Sequence, residues 1–367
     1  MDDLSLWLRL WHTPGLGAVS SCRLLERFAS IQAVFSASHS SLIEAGLKAS
    51  VANSLLNNCQ DNVIEAALAW GEQAGNAILS LDDARYPELL KQSPSAPAVL
   101  FVKGRVDILS EPQLAMVGSR NPSQGGQDTA QQFARHLSKA GLLVTSGLAL
   151  GIDAQSHRGA LAVSAPTIAV VATGLDRVYP ARHKSLAEDI LVKGGAMVSE
   201  FPLGTSPKAE HFPQRNRIIA GLSLGTLVVE AALRSGSLIT ARQAQEAGRE
   251  VFAIPGSIHN PMSKGCHALI KQGAKLVEVA DDILEELGPQ LAHIIELPTQ
   301  RLANPSSEAN TSEQNTLLKA MGYDPVTVDQ LSAQCGFNAS EIASMLLILE
   351  LEGQVYSESG GRYQRAK

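Results

Sequence analysis

The chain has 367 residues, of which 45% are hydrophobic and 18% charged, a balance that is typical of folded proteins and excludes an intrinsically disordered chain. Its length predicts roughly two to three domains. The net charge of −6 argues at first against a nucleic-acid partner. No apolar run reaches the length of a membrane helix. The acidic start lacks the basic segment of a signal peptide.

Residues 1–80 are predicted to form a small domain of short helices. The turn Pro14-Gly15-Leu16-Gly17 resembles that of a helix-hairpin-helix, whose glycine amides can face a phosphate. An ordinary Pro-Gly turn in a helical domain explains the same residues, so both interpretations stay open.

Residues 82–288 alternate strand-like and helix-like segments. The strand candidates are apolar, rich in Val, Leu and Ile, and do not alternate with polar residues, as expected of strands buried on both faces. They lie at 99–102, 113–117, 142–146, 167–173, 196–200, 226–230, 251–255 and 275–279. Repeated β-α units predict an α/β fold, an extended Rossmann-like, doubly wound and mostly parallel sheet with helices on both faces.

The remaining chain divides into a linker and a small domain. Residues 289–312 are rich in Pro, Asn, Ser and Thr, which predicts a linker. Residues 313–367 contain three helix candidates and a hairpin pattern around Gly360 and Gly361. This order predicts a winged-helix domain.

Several glycine-rich loops follow the strands of the central region. They begin at Gly118, Gly147 and Gly174, and a further one surrounds Gly236. In a parallel sheet such loops line the ligand crevice, and glycine together with helix N-termini can present N–H groups to an anion. With Arg120 in the first loop as a fixed cation, the pattern predicts a phosphate site.

A second motif indicates the kind of phosphate. Residues 210–217, Glu-His-Phe-Pro-Gln-Arg-Asn-Arg, place Phe212 beside Arg215 and Arg217, just before an apolar helix predicted at 218–222. Cations can follow a phosphate backbone while rings stack on bases, which suits a single strand. In the competing interpretation Phe212 belongs to the core and the arginines cap helices. The local excess of basic residues in 201–249, six against three acidic, makes a phosphate contact possible on an acidic chain.

The familiar catalytic and nucleotide-binding signatures are absent from the sequence. There is no Gly-x-Gly-x-x-Gly fingerprint, no Gly-Lys pair of a Walker loop and no Gly-x-Ser-x-Gly or His-Glu-x-x-His motif. Asp153 and His157 have a spacing that could hold a metal, but a helix cap with a structural histidine is favoured. The scattered cysteines have no Cys-x-x-Cys pair, which favours a reducing cytoplasm. We expect no metal, no cofactor, no catalytic residue and no membrane partner.

The central motifs, taken together and in order, resemble the DNA-processing protein A family (DprA, also called Smf). They are Val-Gly-Ser-Arg at 117–120, Ser-Gly-Leu-Ala-Leu-Gly-Ile-Asp at 146–153, Thr-Gly-Leu-Asp at 173–176, Ser-Glu-Phe-Pro at 199–202, Phe-Pro-Gln-Arg-Asn-Arg-Ile-Ile-Ala-Gly at 212–221 and Val-Val-Glu-Ala-Ala-Leu-Arg-Ser-Gly-Ser-Leu-Ile-Thr-Ala at 228–241. The resemblance covers 82–288, and a helical N-terminal domain and a C-terminal winged helix fit the same family.

The resemblance implies a cytoplasmic bacterial homodimer that binds and protects single-stranded DNA without cutting it and helps load the RecA recombinase during natural transformation. Carried onto this chain, it implies dimer contacts at His267, Ile270 and Leu276. The DNA-binding candidates are Gly118, Ser119, Arg120, Ser123, Gly147, Lys184, Phe212, Arg215, Asn216 and Arg217.

Two features leave other functions open. The third helix candidate of the C-terminal domain, 338–352, carries three Glu and no Lys or Arg, so we expect that domain to contact protein or to be regulatory, not to read DNA. Glu230 at a strand end, with the Gly236 loop, could serve a nucleoside monophosphate phosphoribohydrolase. A purely architectural recombination partner with a vestigial crevice is a third interpretation.

Overall fold

The computed structural model describes residues 3–57, 61–294, 312–321, 326–351, 354–358 and 362–365. Two compact units, Met1–Glu296 and Leu297–Lys367, are described separately. Within the described residues no helix is both long and apolar enough to span a bilayer.

The chain begins with six short helices, as the sequence predicts. They are α1 Asp3–Trp11, α2 Ala18–Phe28, α3 Ile31–Ser36, α4 His39–Glu44, α5 Ala49–Asn57 and α6 Asp61–Gly71. The hydroxyls of Ser30 and Ser38 cap α3 and α4 by accepting from backbone N–H groups three residues on. The apolar faces of the helices share one core with the sheet, where Trp11 lies 5.3 Å from the ring of Phe101.

A nine-stranded sheet follows, in the order β1-β2-β6-β5-β4-β3-β7-β8-β9. The pairs β1-β2 and β2-β6 are antiparallel and all the others are parallel, which confirms the predicted fold class. The strands are β1 Asn76–Ser80, β2 Val99–Gly104, β3 Gln113–Val117, β4 Leu143–Ser146, β5 Thr167–Val170, β6 Ala196–Ser199, β7 Gly225–Val228, β8 Glu250–Ala253 and β9 Lys275–Leu276.

Helices cover both faces of this sheet, because its central strands are apolar on both sides. In β3, Ala115 and Val117 belong to one core cluster, whereas Leu114 and Met116 belong to another. The first cluster includes residues of α7 Glu88–Lys91, α11 His211–Leu222, α12 Ser237–Glu246 and α13 Lys264–Lys271. The opposite face carries α8 Gln124–Lys139, α9 Ile152–Ala162, α10 Lys184–Val192 and α14 Asp281–Ile294.

The structure differs from the sequence-based expectation in three places. Residues 76–80, assigned to the N-terminal helical domain, form the sheet strand β1. Helix α11 begins at His211, so the motif at 210–217 lies almost entirely inside a helix and not before one. Residues 289–294 of the predicted linker belong to α14, and residues 295–311 lie outside the described part of the chain.

The C-terminal unit has the predicted winged-helix order and its own core, which includes Leu317, Leu331 and Leu346. Its helices are α15 Ser312–Met321, α16 Val328–Cys335 and α17 Ala339–Leu351, and its strands are β10 Val326–Thr327, β11 Val355–Glu358 and β12 Arg362–Arg365. Thr327 and Gln330 form a capping box at the start of α16, and Gly336 ends that helix with a φ of 72°. The predicted turn at Gly360 and Gly361 lies outside the described residues.

Candidate nucleic-acid interface

A cleft of about 660 Å³ opens at the carboxyl ends of the central strands. The loops after β3 and β7 diverge there, since β3 leads to α8 on one face and β7 leads to α12 on the other. This is the position at which doubly wound sheets bind ligands. The lining residues used below are Gly118, Arg120, Ala149, Asp153, Tyr179, Lys208, Phe212, Arg215 and Asn216.

Arg120, Phe212 and Tyr179 form a cluster of one cation and two rings in this cleft. The guanidinium carbon of Arg120 lies 4.8 Å from the centre of the Phe212 ring, and the rings of Phe212 and Tyr179 are 5.9 Å apart. Arg120 is exposed and Tyr179 is 45% exposed. The cluster therefore offers a phosphate-binding cation beside aromatic faces on which a base can stack.

Arg215 lines the cleft, but its guanidinium is already occupied. The side chain is 3% exposed and its Nη1 donates to the backbone oxygens of Gly147, at 2.6 Å, and Val170. Burial lowers the pKa of Arg215 to about 10, and the nearby Asp153 carboxylate opposes the shift. The expectation that Arg215 grips a phosphate is corrected accordingly: in this structure it ties the loop after β4 to the end of β5.

Arg217 is also engaged inside the protein. It pairs with the Glu200 carboxylate and donates to the backbone oxygen of Ser95, and its side chain is 11% exposed. Burial raises the pKa of Glu200, and Arg217 opposes that shift. The structure thus places Arg217 away from the cleft lining, in an ion pair beneath α1, where Trp11 Nε1 donates to the Glu200 backbone oxygen at 2.9 Å.

Three of the loop amides that the sequence suggested for an anion site bind groups of the protein itself. Asp153 accepts from the N–H groups of Gly147, at 3.1 Å, and Ala149, at 3.3 Å. The Ser119 N–H donates to the Glu230 backbone oxygen at 2.7 Å. Gly147 serves close packing instead, since a Cβ at this position would collide with the Arg215 guanidinium.

Ser123 and Glu230 form a helix cap. The Ser123 hydroxyl accepts from the Gly126 N–H at the start of α8 and donates to Glu230 Oε1 at 2.6 Å, while its N–H donates to Oε2 at 2.9 Å. Glu230 is 8% exposed and does not line the cleft. Its carboxylate therefore holds the β3-α8 loop, which gives no support to a role as a general base.

The other candidates differ in whether they line the cleft. Gly118 and Asn216 line the cleft, Ser119 is buried, and Gly147 borders an adjoining cavity of about 50 Å³. Lys184 is exposed at the start of α10 but outside the cleft lining. The cleft thus joins Gly118, Arg120, Phe212, Arg215 and Asn216 and leaves out Ser119, Ser123, Gly147, Lys184 and Arg217.

Sequence reasoning missed Lys208, an exposed cation of the cleft lining. Its place two residues before the motif at 210–217 could have indicated it.

Asp153 and His157 do not share a ligand: Asp153 binds the loop amides, and His157 Nδ1 lies 2.8 Å from Thr167 Oγ1. Within the described residues no group of three or more His, Cys, Asp or Glu could hold a metal.

The three predicted dimer residues lie at one end of the sheet. Leu276 is in the edge strand β9 and is 44% exposed, Ile270 packs partly against the core, and His267 Nε2 lies 3.0 Å from the backbone oxygen of Gly256. An exposed apolar side chain on an edge strand is compatible with a protein interface.

Comparison with known proteins decides the family. Residues 77–288 match the model of DNA recombination-mediator protein A, and residues 301–361 match the DprA winged helix domain. The chain belongs to the DNA recombination-mediator protein A (DprA/Smf) family. Protein Smf of Escherichia coli K12 is 42% identical over 371 residues, which cover 100% of this chain and 97% of that protein.

Two solved structures of DprA proteins are similar to this chain. The crystal structure of DprA from Streptococcus pneumoniae has a TM-score of 0.68 and 37% identity, and the match covers 77% of this chain and 97% of that one. A structure of DNA processing protein A from Helicobacter pylori, described for its single-stranded DNA binding mode, has a TM-score of 0.52, 27% identity, and coverage of 59% and 96%.

Proposed function

We propose that this DprA-family chain binds single-stranded DNA in its cleft without cutting it. The observation that carries the proposal is the cluster of Arg120, Phe212 and Tyr179, where a cation lies against one of two rings that line an open cleft. A single strand exposes both phosphates and base faces, whereas a duplex hides its base faces by stacking. The relative from Helicobacter pylori, described as binding single-stranded DNA, supports the same assignment.

In this proposal Arg120 and Lys208 neutralise phosphates, and Phe212 and Tyr179 stack on bases. Arg215 contributes indirectly, because it holds the loop at Gly147 that borders the cleft. Lys184 contacts phosphates beyond the cleft. The affinity should fall steeply with salt, with a logarithmic slope of about −0.7 for each phosphate contacted.

The deciding experiment is a salt-titrated gel shift of the full chain with single-stranded and double-stranded DNA of equal length. We expect tighter binding of the single strand at every salt concentration. Equal binding of the two forms would refute a site that depends on exposed bases. Incubation of the same protein with nucleoside monophosphates should release no free base, and release of base would support the enzymatic alternative.

We further infer that the chain acts as a cytoplasmic homodimer and helps load RecA onto the bound strand during natural transformation. Exposed Leu276 on the edge strand, with the neighbouring Ile270, supports a dimer surface at this end of the sheet. Leu276→Glu should then shift the chain from dimer to monomer in light scattering. A purely architectural partner would instead stimulate RecA filament formation equally well with Arg120→Ala.

A further inference from the structure

A groove between α9 and α10 lies outside the cleft and has no role so far. Its volume is about 420 Å³, and its charged and polar lining residues are Arg158, Arg182, Ser185, Asp189 and Lys193. We propose that this groove is a second phosphate-binding track, along which a single strand continues after it leaves the cleft. The proposal rests on the proposed function, since it extends the path of the same ligand.

The charge of the groove points to a polyanion. Arg158, Arg182 and Lys193 are exposed, and none of them joins an ion pair within the part of the chain that the structure describes. Two of the other exposed arginines, Arg85 and Arg105, are each paired with an aspartate two residues away. Unpaired like charges along one groove repel each other, and an anion that spans them removes the repulsion.

The lining also indicates which part of a nucleic acid binds. Asp189 is the single acidic side chain of the lining, which leaves an excess of two positive charges, and no aromatic residue lines the groove. Without rings the groove offers no stacking surface for bases, so it would hold the backbone through charge and the Ser185 hydroxyl. Binding there should be independent of base sequence.

The groove is connected to the cleft by the chain itself. Tyr179 lines the cleft, the turn Ala181–His183 follows it, and Arg182 in that turn lines the groove. The His183 ring bonds to the backbone oxygen of Leu148 at 2.9 Å, next to Ala149 of the cleft lining. This bond fixes the turn against the cleft loop, so the two sites lie next to each other.

The length of the groove fits several nucleotides. Helix α10 has nine residues, which correspond to about 13 Å at ~1.5 Å per residue. Arg182 precedes this helix and Lys193 follows it. At ~3.4 Å per stacked nucleotide, the groove would extend the bound strand by about four nucleotides.

The test compares short and long oligonucleotides on the full-length protein. Fluorescence anisotropy would be measured with labelled oligothymidylates of about 6 nucleotides, which fill the cleft, and about 20 nucleotides, which also reach the groove. The variant is R158E/R182E/K193E. Its matched control is R23E/R27E/K91E, which makes the same charge change at exposed cations that line neither site.

We expect the groove variant to bind the long strand at least 10-fold more weakly than the control variant and the short strand within about 3-fold of it. Its salt slope on the long strand should fall by about two units, for three contacts at ~0.7 each. The second-track proposal would be wrong, and the proposed function would stand, in either of two cases. In the first, the groove variant loses the same affinity for both lengths. In the second, it binds the long strand as tightly as the control variant does. Absence of binding by the wild type at both lengths would overturn the proposed function as well. If the groove variant bound a duplex more weakly than the control variant in the same assay while its single-strand affinity stayed unchanged, the groove would be a duplex contact and the proposal would be wrong.

Discussion

The guanidinium carbon of Arg120 lies 4.8 Å above the Phe212 ring, so the loop after β3 and the first turn of α11 meet across the cleft. The two residues are 92 positions apart in the sequence.

Arg120→Ala should weaken single-stranded DNA binding about 10- to 100-fold, as expected for the loss of a charge-assisted phosphate contact. The loss should be the same for all base sequences, as gel shifts with several sequences would show. Arg105→Ala removes an exposed arginine paired with Asp107 and should leave the affinity unchanged. A loss of sequence discrimination in place of uniform weakening would contradict backbone binding.

Phe212→Ala should weaken binding through a different contact. Stacking of one base on an aromatic ring contributes about 1–3 kcal/mol, so the affinity should fall roughly 5- to 150-fold with little change of salt slope. Arg120→Ala, in contrast, should reduce the slope by about 0.7. Salt titrations of both variants separate the two contributions. Identical slopes for the two variants would argue against this division of roles.

Arg215→Met tests the structural role of the buried guanidinium. The substitution removes the donor to the Gly147 and Val170 oxygens and leaves the buried Asp153 without its nearby cation, so the free energy of unfolding should fall by about 3–5 kcal/mol. Urea denaturation measures the change. Asn216→Ala, at the next position of the same helix, should change it by less than about 1 kcal/mol. A stable Arg215→Met protein that had lost DNA binding would restore Arg215 as a direct phosphate ligand.

Two adjacent glycines at the start of α8 provide a matched pair. A Cβ on Gly126 would lie 2.5 Å from the Glu230 carboxyl carbon, whereas one on Gly125 has no neighbour closer than Ser123 Oγ at 3.9 Å. Gly126→Ala should therefore break the Ser123–Glu230 cap and destabilise the protein by about 1–3 kcal/mol. Gly125→Ala should be neutral or stabilising because alanine favours helix. Thermal unfolding of both variants checks the contrast, and equal melting temperatures would refute it.

His157 should make the stability depend on pH. Burial, with repulsion from His183 and Arg215, lowers its pKa from 6.5 to about 3. Thr167 Oγ1 donates its proton to the Val144 oxygen, so it accepts from His157 Nδ1 and the neutral ring fits the site. Between pH 6.5 and 3 the unfolded chain binds a proton that the native chain does not. The free energy of unfolding should then fall with decreasing pH, by up to about 1.4 kcal/mol per pH unit from this residue.

His157→Asn isolates this contribution, since the asparagine amide can still donate to Thr167 and does not titrate. Denaturation curves from pH 7 to 4 should show a flatter dependence for this variant than for the wild type. Parallel curves for the two proteins would show that His157 is not the residue responsible.

The winged-helix unit should bind DNA weakly. Its third helix has no basic residue, and without phosphate-binding cations a helix gains little from the major groove. Because residues 297–367 form a compact unit with a core of their own, this segment can be measured alone. We expect no duplex binding tighter than the non-specific range of about 10⁻⁴–10⁻⁶ M at physiological salt. Tighter binding would contradict a protein-contacting or regulatory role.

The sequence by itself determined the architecture of the sheet. All eight predicted strands are present, because continuous apolar runs between glycine loops can be satisfied only by burial on both faces. The sequence also indicated Arg120 and Phe212 as binding residues. Arg120 lies in the glycine-rich loop after a predicted strand, and Phe212 lies in the motif at 210–217 next to a predicted helix. Sequence reasoning missed strand β1, which has only five residues. This strand is defined by its antiparallel pairing with β2, and a local sequence pattern does not show which strand a segment pairs with.

Only the tertiary structure decided which charged groups are free to bind. Arg215 and Arg217 stand two positions apart and are equivalent as cations in the sequence, yet one binds the Gly147 and Val170 oxygens and the other binds Glu200. The amides of Gly147 and Ala149 are likewise taken by Asp153. A buried charge or N–H group must find a partner, and those partners come from distant strands and loops that only the folded chain brings within reach.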